Sequence, residues 1–282
     1  MGKTALVLEG GGMRGTYTAG VLDHLMEKGI YFDSIYGVSA GALNGVNYKT
    51  RQIGRSIRTF TMYQKDKRYA GIHHLLKDGD WFNVDFSYNQ IPNKLDVADY
   101  DTFANSYTDF YSVVTNMETG KAEYLHLTEM RRDMDGLRAS ASLPILSNIV
   151  EFNGKKYLDG GCTDSIPLEK SVADGHTKNL VVLTQHRGYQ KKASANRYAC
   201  RLMYRKYPAF VKAMDNRHNM YNSQLEYVYQ SEKNGTAFVI QPNEIIKVSR
   251  LENNPAKLME LYHLGKKDAE KYFDALVSYL DN

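Results

Sequence analysis

Apolar residues fall into two rhythms along this chain, and their alternation predicts its architecture. Thr4-Ala5-Leu6-Val7-Leu8 is a short continuous apolar run of the strand type, whereas Tyr17 to Lys28 carries Val21, Leu22, Leu25 and Met26 at helical spacing. Phe32 to Val38 reads as a second buried strand, and Ala40 to Tyr48 as the helix that follows it. Strands predicted at 4–9, 33–38, 110–115, 180–185 and 237–241 alternate with helical stretches. That order predicts an α/β fold with a mostly parallel central sheet flanked by helices. Asp109 to Leu127 reads as a hairpin within the sheet. Ile149 to Asp159 reads as another, turning at Asn153-Gly154.

The candidate chemistry sits where these elements meet. Gly37-Val38-Ser39-Ala40-Gly41 lies between the second strand and its helix. Gly37 and Gly41 permit a sharp strand-to-helix turn that would present Ser39 as a nucleophile at a helix N-terminus, where unpaired N–H groups favour negative charge. The same pattern also marks ordinary tight turns. Upstream, Gly10-Gly11-Gly12 follows the first strand, and Gly10, Gly12 and Gly15 satisfy the spacing of a dinucleotide-binding turn. That alternative requires an acidic residue closing the second strand, but Asp33 stands at its start and Gly37-Val38-Ser39 at its end. No Lys-Ser or Lys-Thr follows the glycines, against a nucleoside-triphosphate loop. The turn can instead aim bare N–H groups at a tetrahedral oxyanion.

A serine nucleophile needs a base. The eight histidines belong to no signature. Asp159-Gly160-Gly161 ends the second hairpin with a sterically open carboxylate, although a bare Asp-Gly-Gly is commonly only a loop. Spacing for a metal site is absent, and Cys162 and Cys200 read as reduced thiols, Cys162 as a packing residue.

Taken together these motifs resemble the patatin-like phospholipase family, bacterial type. The likeness rests on Gly10-Gly11-Gly12-Met13-Arg14-Gly15, Gly37-Val38-Ser39-Ala40-Gly41 and Asp159-Gly160-Gly161. The small-residue stretch Ala139-Ser140-Ala141-Ser142-Leu143-Pro144 is a fourth shared feature. The resemblance covers about 4–185 and implies a patatin-like three-layer sandwich, with a helical C-terminal extension holding one further strand over about 186–282. It implies a lipid acyl hydrolase working through a Ser39-Asp159 dyad and an acyl-enzyme, with Gly10, Gly11 and Gly12 as oxyanion hole and no cofactor or metal. Arg14 is expected to fix the glycine loop or neutralise nearby negative charge, against the plain alternative of a solvent-facing arginine. A Ser-His-Asp esterase using His186 or His263, and a non-enzymatic lipid- or nucleotide-binding module, remain open alternatives.

Composition narrows the partners. At 282 residues and 43% hydrophobic content the chain can bury a full core, and no linker or repeat divides it, so one domain over 1–282 is expected. No secretory pattern or bilayer-length apolar stretch is read, so a cytoplasmic location is expected, with peripheral contact at the inner face of the membrane. The net charge is only +4, yet no acidic residue lies between Asp174 and Asp215. Within 187–212, Arg197, Arg201 and Arg205 recur as on one side of a helix, with Pro208 bending or ending it. This basic segment suits anionic headgroups, and nucleic acid is not the expected partner. Thr61 to Pro92, rich in aromatics, is a candidate cap over the site, or surface structure packing its own aromatics.

Overall fold

The computed structural model describes residues 3–281. Its strands are β1 (Thr4–Leu8), β2 (Ser34–Val38), β3 (Asp109–Asn116), β4 (Ala122–His126), β5 (Val150–Phe152), β6 (Lys155–Asp159), β7 (Lys178–Val182) and β8 (Ala237–Ile240). Its helices are α1 (Gly15–Glu27), α2 (Ala40–Lys49), α3 (Arg55–Thr61), α4 (Ile72–Asp78), α5 (Tyr100–Asn105), α6 (Met130–Ser140), α7 (Leu168–Ala173), α8 (Arg197–Met203), α9 (Pro208–Lys233), α10 (Pro255–Lys271) and α11 (Phe273–Asp281). A π-helical stretch, Phe86–Leu95, precedes α5.

Side chains alternate across a strand, and here both faces are apolar. Leu6 and Leu8 of β1 and Leu180 and Val182 of β7 enter one core, packed by α1, α2, α5, α6 and α10. Val7 and Val181 enter a second core, packed by Leu168 of α7 and by Tyr221, Leu225 and Val228 of α9. The result is three layers with the sheet in the middle, as expected of a sheet that is parallel at its centre. β3, β2, β1, β7 and β8 pair in parallel in that order. Antiparallel β4 and the β5–β6 hairpin attach to β3. The hairpin turns where expected: Asn153 and Gly154 have φ of 49° and 74°, the pair of left-handed residues that such a tight turn demands.

The C-terminal extension is built into this frame. β8 extends the sheet beside β7. Helix α10 crosses α1 very closely: a Cβ on Gly20 would stand 2.0 Å from the Tyr262 carbonyl oxygen, and one on Gly265 2.1 Å from that of Tyr17. Two buried hydrogen bonds, Tyr17 to Asp268 and Tyr262 to Asp23, each 2.8 Å, flank the crossing.

The basic segment departs from expectation. Helix α8 stops at Met203, so Arg205 does not share a helical face with Arg197 and Arg201, and Pro208 begins α9 instead of bending one longer helix. Proline suits a first helical turn, where its missing N–H has no partner to lose. Arg201 pairs with Asp215 at 2.9 Å, while Tyr198, Leu202 and Met203 stay exposed.

Candidate active site

Strand β3 determines which residues meet. On one edge it pairs with β4, Val113 opposite Tyr124 and Val114 opposite Glu123. On its other edge Val113 faces Val38 of β2, and the next residue, Val114, faces Asp159 of β6. Since β2 runs parallel and β6 antiparallel to β3, their C-terminal ends meet head to head along that edge. Ser39 and Asp159 stand at the junction.

Ser39 caps α2 with φ of 55° and ψ of −123°, a conformation that L-residues avoid unless their surroundings enforce it. Part of the enforcement comes from the small-residue stretch. The Ser39 amide donates to Ser140 Oγ at 2.9 Å, and that hydroxyl donates in turn to the Val113 carbonyl at 2.6 Å. Two residues later, the Ser142 carbonyl accepts from the Asp159 amide at 2.8 Å. Gly160 lies flat against β3, where a Cβ would come within 2.2 Å of the same Val113 oxygen, so only glycine lets the chain leave Asp159 in this direction. Gly37 and Gly41 are equally crowded, against Ala42 and against the carbonyls of Leu8 and Glu9.

Asp159 is 3% exposed. Its Oδ1 accepts the Gly161 amide at 2.7 Å, while Oδ2 has no hydrogen-bond partner among the described residues. The Ser39 hydroxyl lies near enough to favour the carboxylate, as do Arg217 and Arg250. Burial outweighs them and raises the Asp159 pKa above the ordinary carboxylate range. Ser39 and Asp159 are therefore neighbours, with no hydrogen bond of normal geometry between their side chains.

The glycine turn lies across from this pair. A Cβ on Gly10 would sit 3.0 Å from that of Ser39; one on Gly11 would meet Thr184. The amides flanking the turn are used, Glu9 on Val182 and Met13 on the Arg250 carbonyl, each 3.1 Å. Among the described residues the Gly10, Gly11 and Gly12 amides have no acceptor and remain free for an anion. Gly12 takes φ of 57° and packs against Arg250, leaving 2.5 Å between a notional Cβ and that residue's carbonyl oxygen. Arg14 is buried, with Nε unpartnered, which overturns the solvent-facing alternative.

Two cavities open beside Ser39. The larger, about 150 Å³, is apolar, with Met13, Leu43, Phe60, Phe82, Ile91 and Leu137 among its lining. The segment 61–92 contributes Tyr69, Phe82, Tyr88, Ile91 and Pro92 to its wall, so three of its aromatic rings face the site. The smaller is polar, and Lys191, Arg217, Arg250 and Asp159 line it. No histidine lines either cavity among the described residues. His263 is exposed on α10, and His186 stacks edge-on against Tyr189.

A family model described as patatin-like phospholipase matches residues 6–171, the span that holds the elbow, the glycine turn and the Asp159 turn. The chain belongs to the patatin-like phospholipase family. A second model, described as a domain of unknown function, matches residues 207–281. Among similar proteins, uncharacterized protein YjjU of Escherichia coli K12 is 31% identical over 188 residues, 64% of this chain and 52% of its own length. Lysophospholipase nte1 of Aspergillus terreus is 32% identical over 174 residues, 58% of this chain and 11% of its own. The chain thus spans about half the length of the first relative and a small part of the second. The crystal structure of VipD from Legionella pneumophila aligns over 97% of this chain and 67% of its own, at 13% identity and a TM-score of 0.46.

Motif reading finds the residues of the patatin-like span but misses what surrounds them. In the sequence Lys191 is one more cation of the basic segment. Arg217 and Arg250 belong to no motif, and only the fold brings them to Ser39.

Proposed function

We propose that this protein is a lipid acyl hydrolase that cleaves carboxylic esters through an acyl-Ser39 intermediate, with Asp159 as the base. The observation that carries the reading is the head-to-head junction: a serine in a forced elbow conformation beside a buried carboxylate whose Oδ2 is unpartnered, facing the free amides of the glycine turn. Ser39 Oγ attacks the acyl carbonyl carbon while its proton passes to Asp159 Oδ2. The oxyanion takes amides of the Gly10, Gly11 and Gly12 turn, which offer fixed dipoles where charge develops. Collapse breaks the ester C–O bond, and the departing alcohol takes the proton from Asp159. Water then adds to the acyl-enzyme, giving its proton to Asp159, and the second collapse releases the fatty acid and returns the proton to Ser39. The apolar cavity suits the acyl chain. Asp159 is the carboxylate beside Ser39, while His186 packs on Tyr189 and His263 faces solvent, which supports the dyad over a triad esterase. The family and its lysophospholipase relatives support an ester of lipid type.

Contact with an anionic membrane through 187–212 belongs to the same reading. Its support is the short α8, which exposes Tyr198, Leu202 and Met203 beside Arg197.

Fluorophosphonate labelling tests the core of the proposal. The adduct is expected on Ser39, and Ser39→Ala is expected to lose on the order of 10³-fold or more in kcat on a panel of esters and phospholipids. An adduct on another serine, or full activity in Ser39→Ala, would reject it.

A further inference from the structure

The small cavity at Ser39 has an unbalanced charge. Lys191, Arg217 and Arg250 line it, and buried Arg14 lies close enough to lower the pKa of both Lys191 and Arg250. None of these four cations makes an ion pair with an acid among the described residues. The acids within reach are Glu9 and Asp159. Glu9 is occupied by Tyr221, at 2.7 Å, and by the Thr184 amide, at 2.6 Å. With Lys191 protonated, the state an entering anion favours, four cations against these two acids leave two positive charges unmatched among the described residues.

The cations oppose one another. Burial, then Arg217 and Arg250, bring the Lys191 ammonium down to about 7, and Lys191 rests its Nζ 3.9 Å over the Tyr221 ring for want of an acid. Arg217 spends Nε on the Gly161 carbonyl, at 2.5 Å, which leaves the rest of its fork unused. Arg250 makes no side-chain hydrogen bond among the described residues, although its backbone braces the glycine turn. Like charges gathered in a cleft without enough acids are costly until an anion enters. The transient oxyanion does not answer the surplus, because it has the glycine amides.

We infer that Lys191, Arg217 and Arg250 form a phosphate-binding corner, and that the preferred substrate is an acyl ester carrying a phosphate monoester within a few bonds of the scissile carbonyl. The inference rests on the Ser39 ester-hydrolysis reading and names its substrate class. A monoester dianion matches the two unmatched charges; a phosphodiester bearing its own cation does not. Arg217 and Arg250 both fall within residues 207–281, the span matched by the domain of unknown function. That region would thus serve to recognise the headgroup.

The test compares three esters of equal, short acyl chain below their micelle concentrations: a monoacylglycerol, its 3-phosphate and its 3-phosphocholine. Fatty-acid release by the full chain is expected to give a kcat/KM for the phosphate about tenfold or more above both others, the scale of one charge-assisted contact. In Lys191→Gln with Arg250→Gln that ratio is expected to fall by about tenfold or more. If these cations served only to hold the Asp159 charge, all three esters would fall together and the ratio would stay. Wild-type inhibition does not depend on the variant folding: glycerol 3-phosphate is expected to compete with the neutral ester more strongly than inorganic phosphate. Equal inhibition by the two assigns the corner to free phosphate and overturns the inference. A wild-type ratio near one, or a ratio unchanged in the folded variant, also overturns it and leaves the esterase reading intact. Hydrolysis that survives in Ser39→Ala, or no hydrolysis of any ester by the wild type, strikes the esterase reading instead.

Discussion

Burial pushes the Asp159 carboxyl up while the Ser39 hydroxyl, the Gly161 amide, Arg217 and Arg250 pull it down, and burial prevails. A base works as carboxylate, so kcat/KM should fall on acidification through an apparent pKa above the unperturbed value of about 4. Arg250→Gln removes one of the groups favouring the charge and should move that acid limb higher still. A limb at or below about 4 in the wild type would count against Asp159 as base. The same imbalance has a stability counterpart. A raised folded pKa means that the contribution of this group is full below the unfolded pKa and lost as pH rises through the folded one. Asp159→Asn should therefore melt higher than wild type at alkaline pH, by roughly 2–4 °C per kcal/mol relieved, and equally at low pH, while kcat drops about 10³-fold or more. Differential scanning calorimetry on both sides of the folded pKa checks it. Ser39 and Asp159 are legible in the sequence because each lies in a short motif whose glycines serve local geometry. Lys191, Arg217 and Arg250 are not, because nothing within a few residues of any of them depends on where its guanidinium or ammonium ends up.

At the level of elements, the catalytic proposal leans on the Val113 carbonyl, the common neighbour of Ser140 and Gly160. Gly160→Ala places a methyl in that space, and overpacking of this kind costs about 1–3 kcal/mol. The loss of activity should exceed what the fraction unfolded explains, since the turn after Asp159 must shift; denaturant titration beside turnover separates the two. Strand positions are readable from apolar runs, and both hairpins fall where expected, because period and turn residues are local signals. Helix α8 shows the limit of that method. Arginine spacing implies one face, but the helix ends before Tyr204, whose hydroxyl accepts the Ile145 amide at 2.8 Å, a long-range bond that spacing does not encode. The membrane expectation changes accordingly: Leu202→Asp with Met203→Asp should weaken binding to anionic vesicles. Arg197→Gln and Arg205→Gln should each cost about 1 kcal/mol, more than Arg201→Gln, whose charge Asp215 already shares. Vesicle sedimentation at low and high salt measures this, and equal binding by wild type and the Asp pair would remove α8 from the interface.

For the whole molecule, the tight crossing of α1 and α10 ties the last third of the chain to the helix that follows the glycine turn. A single cooperative domain is our proposal, so circular dichroism and tyrosine fluorescence should report one unfolding transition with coincident midpoints. Gly265→Leu would drive a side chain into the Tyr17 carbonyl and should lower that midpoint for the entire chain; a separate, early transition confined to the C-terminal region would divide the molecule in two. This dependence is hidden in the sequence, where Gly20 and Gly265 look like minor interruptions of two amphipathic helices. The Met13 amide is braced by the carbonyl of Arg250, a residue synthesised more than two hundred positions later. A ribosome therefore releases Ser39 and Asp159 well before the glycine turn has this support. Until Arg250 emerges, the growing polypeptide carries the proposed nucleophile and base with the glycine turn beside them still unbraced, so activity is expected to appear only once the last third of the chain has folded.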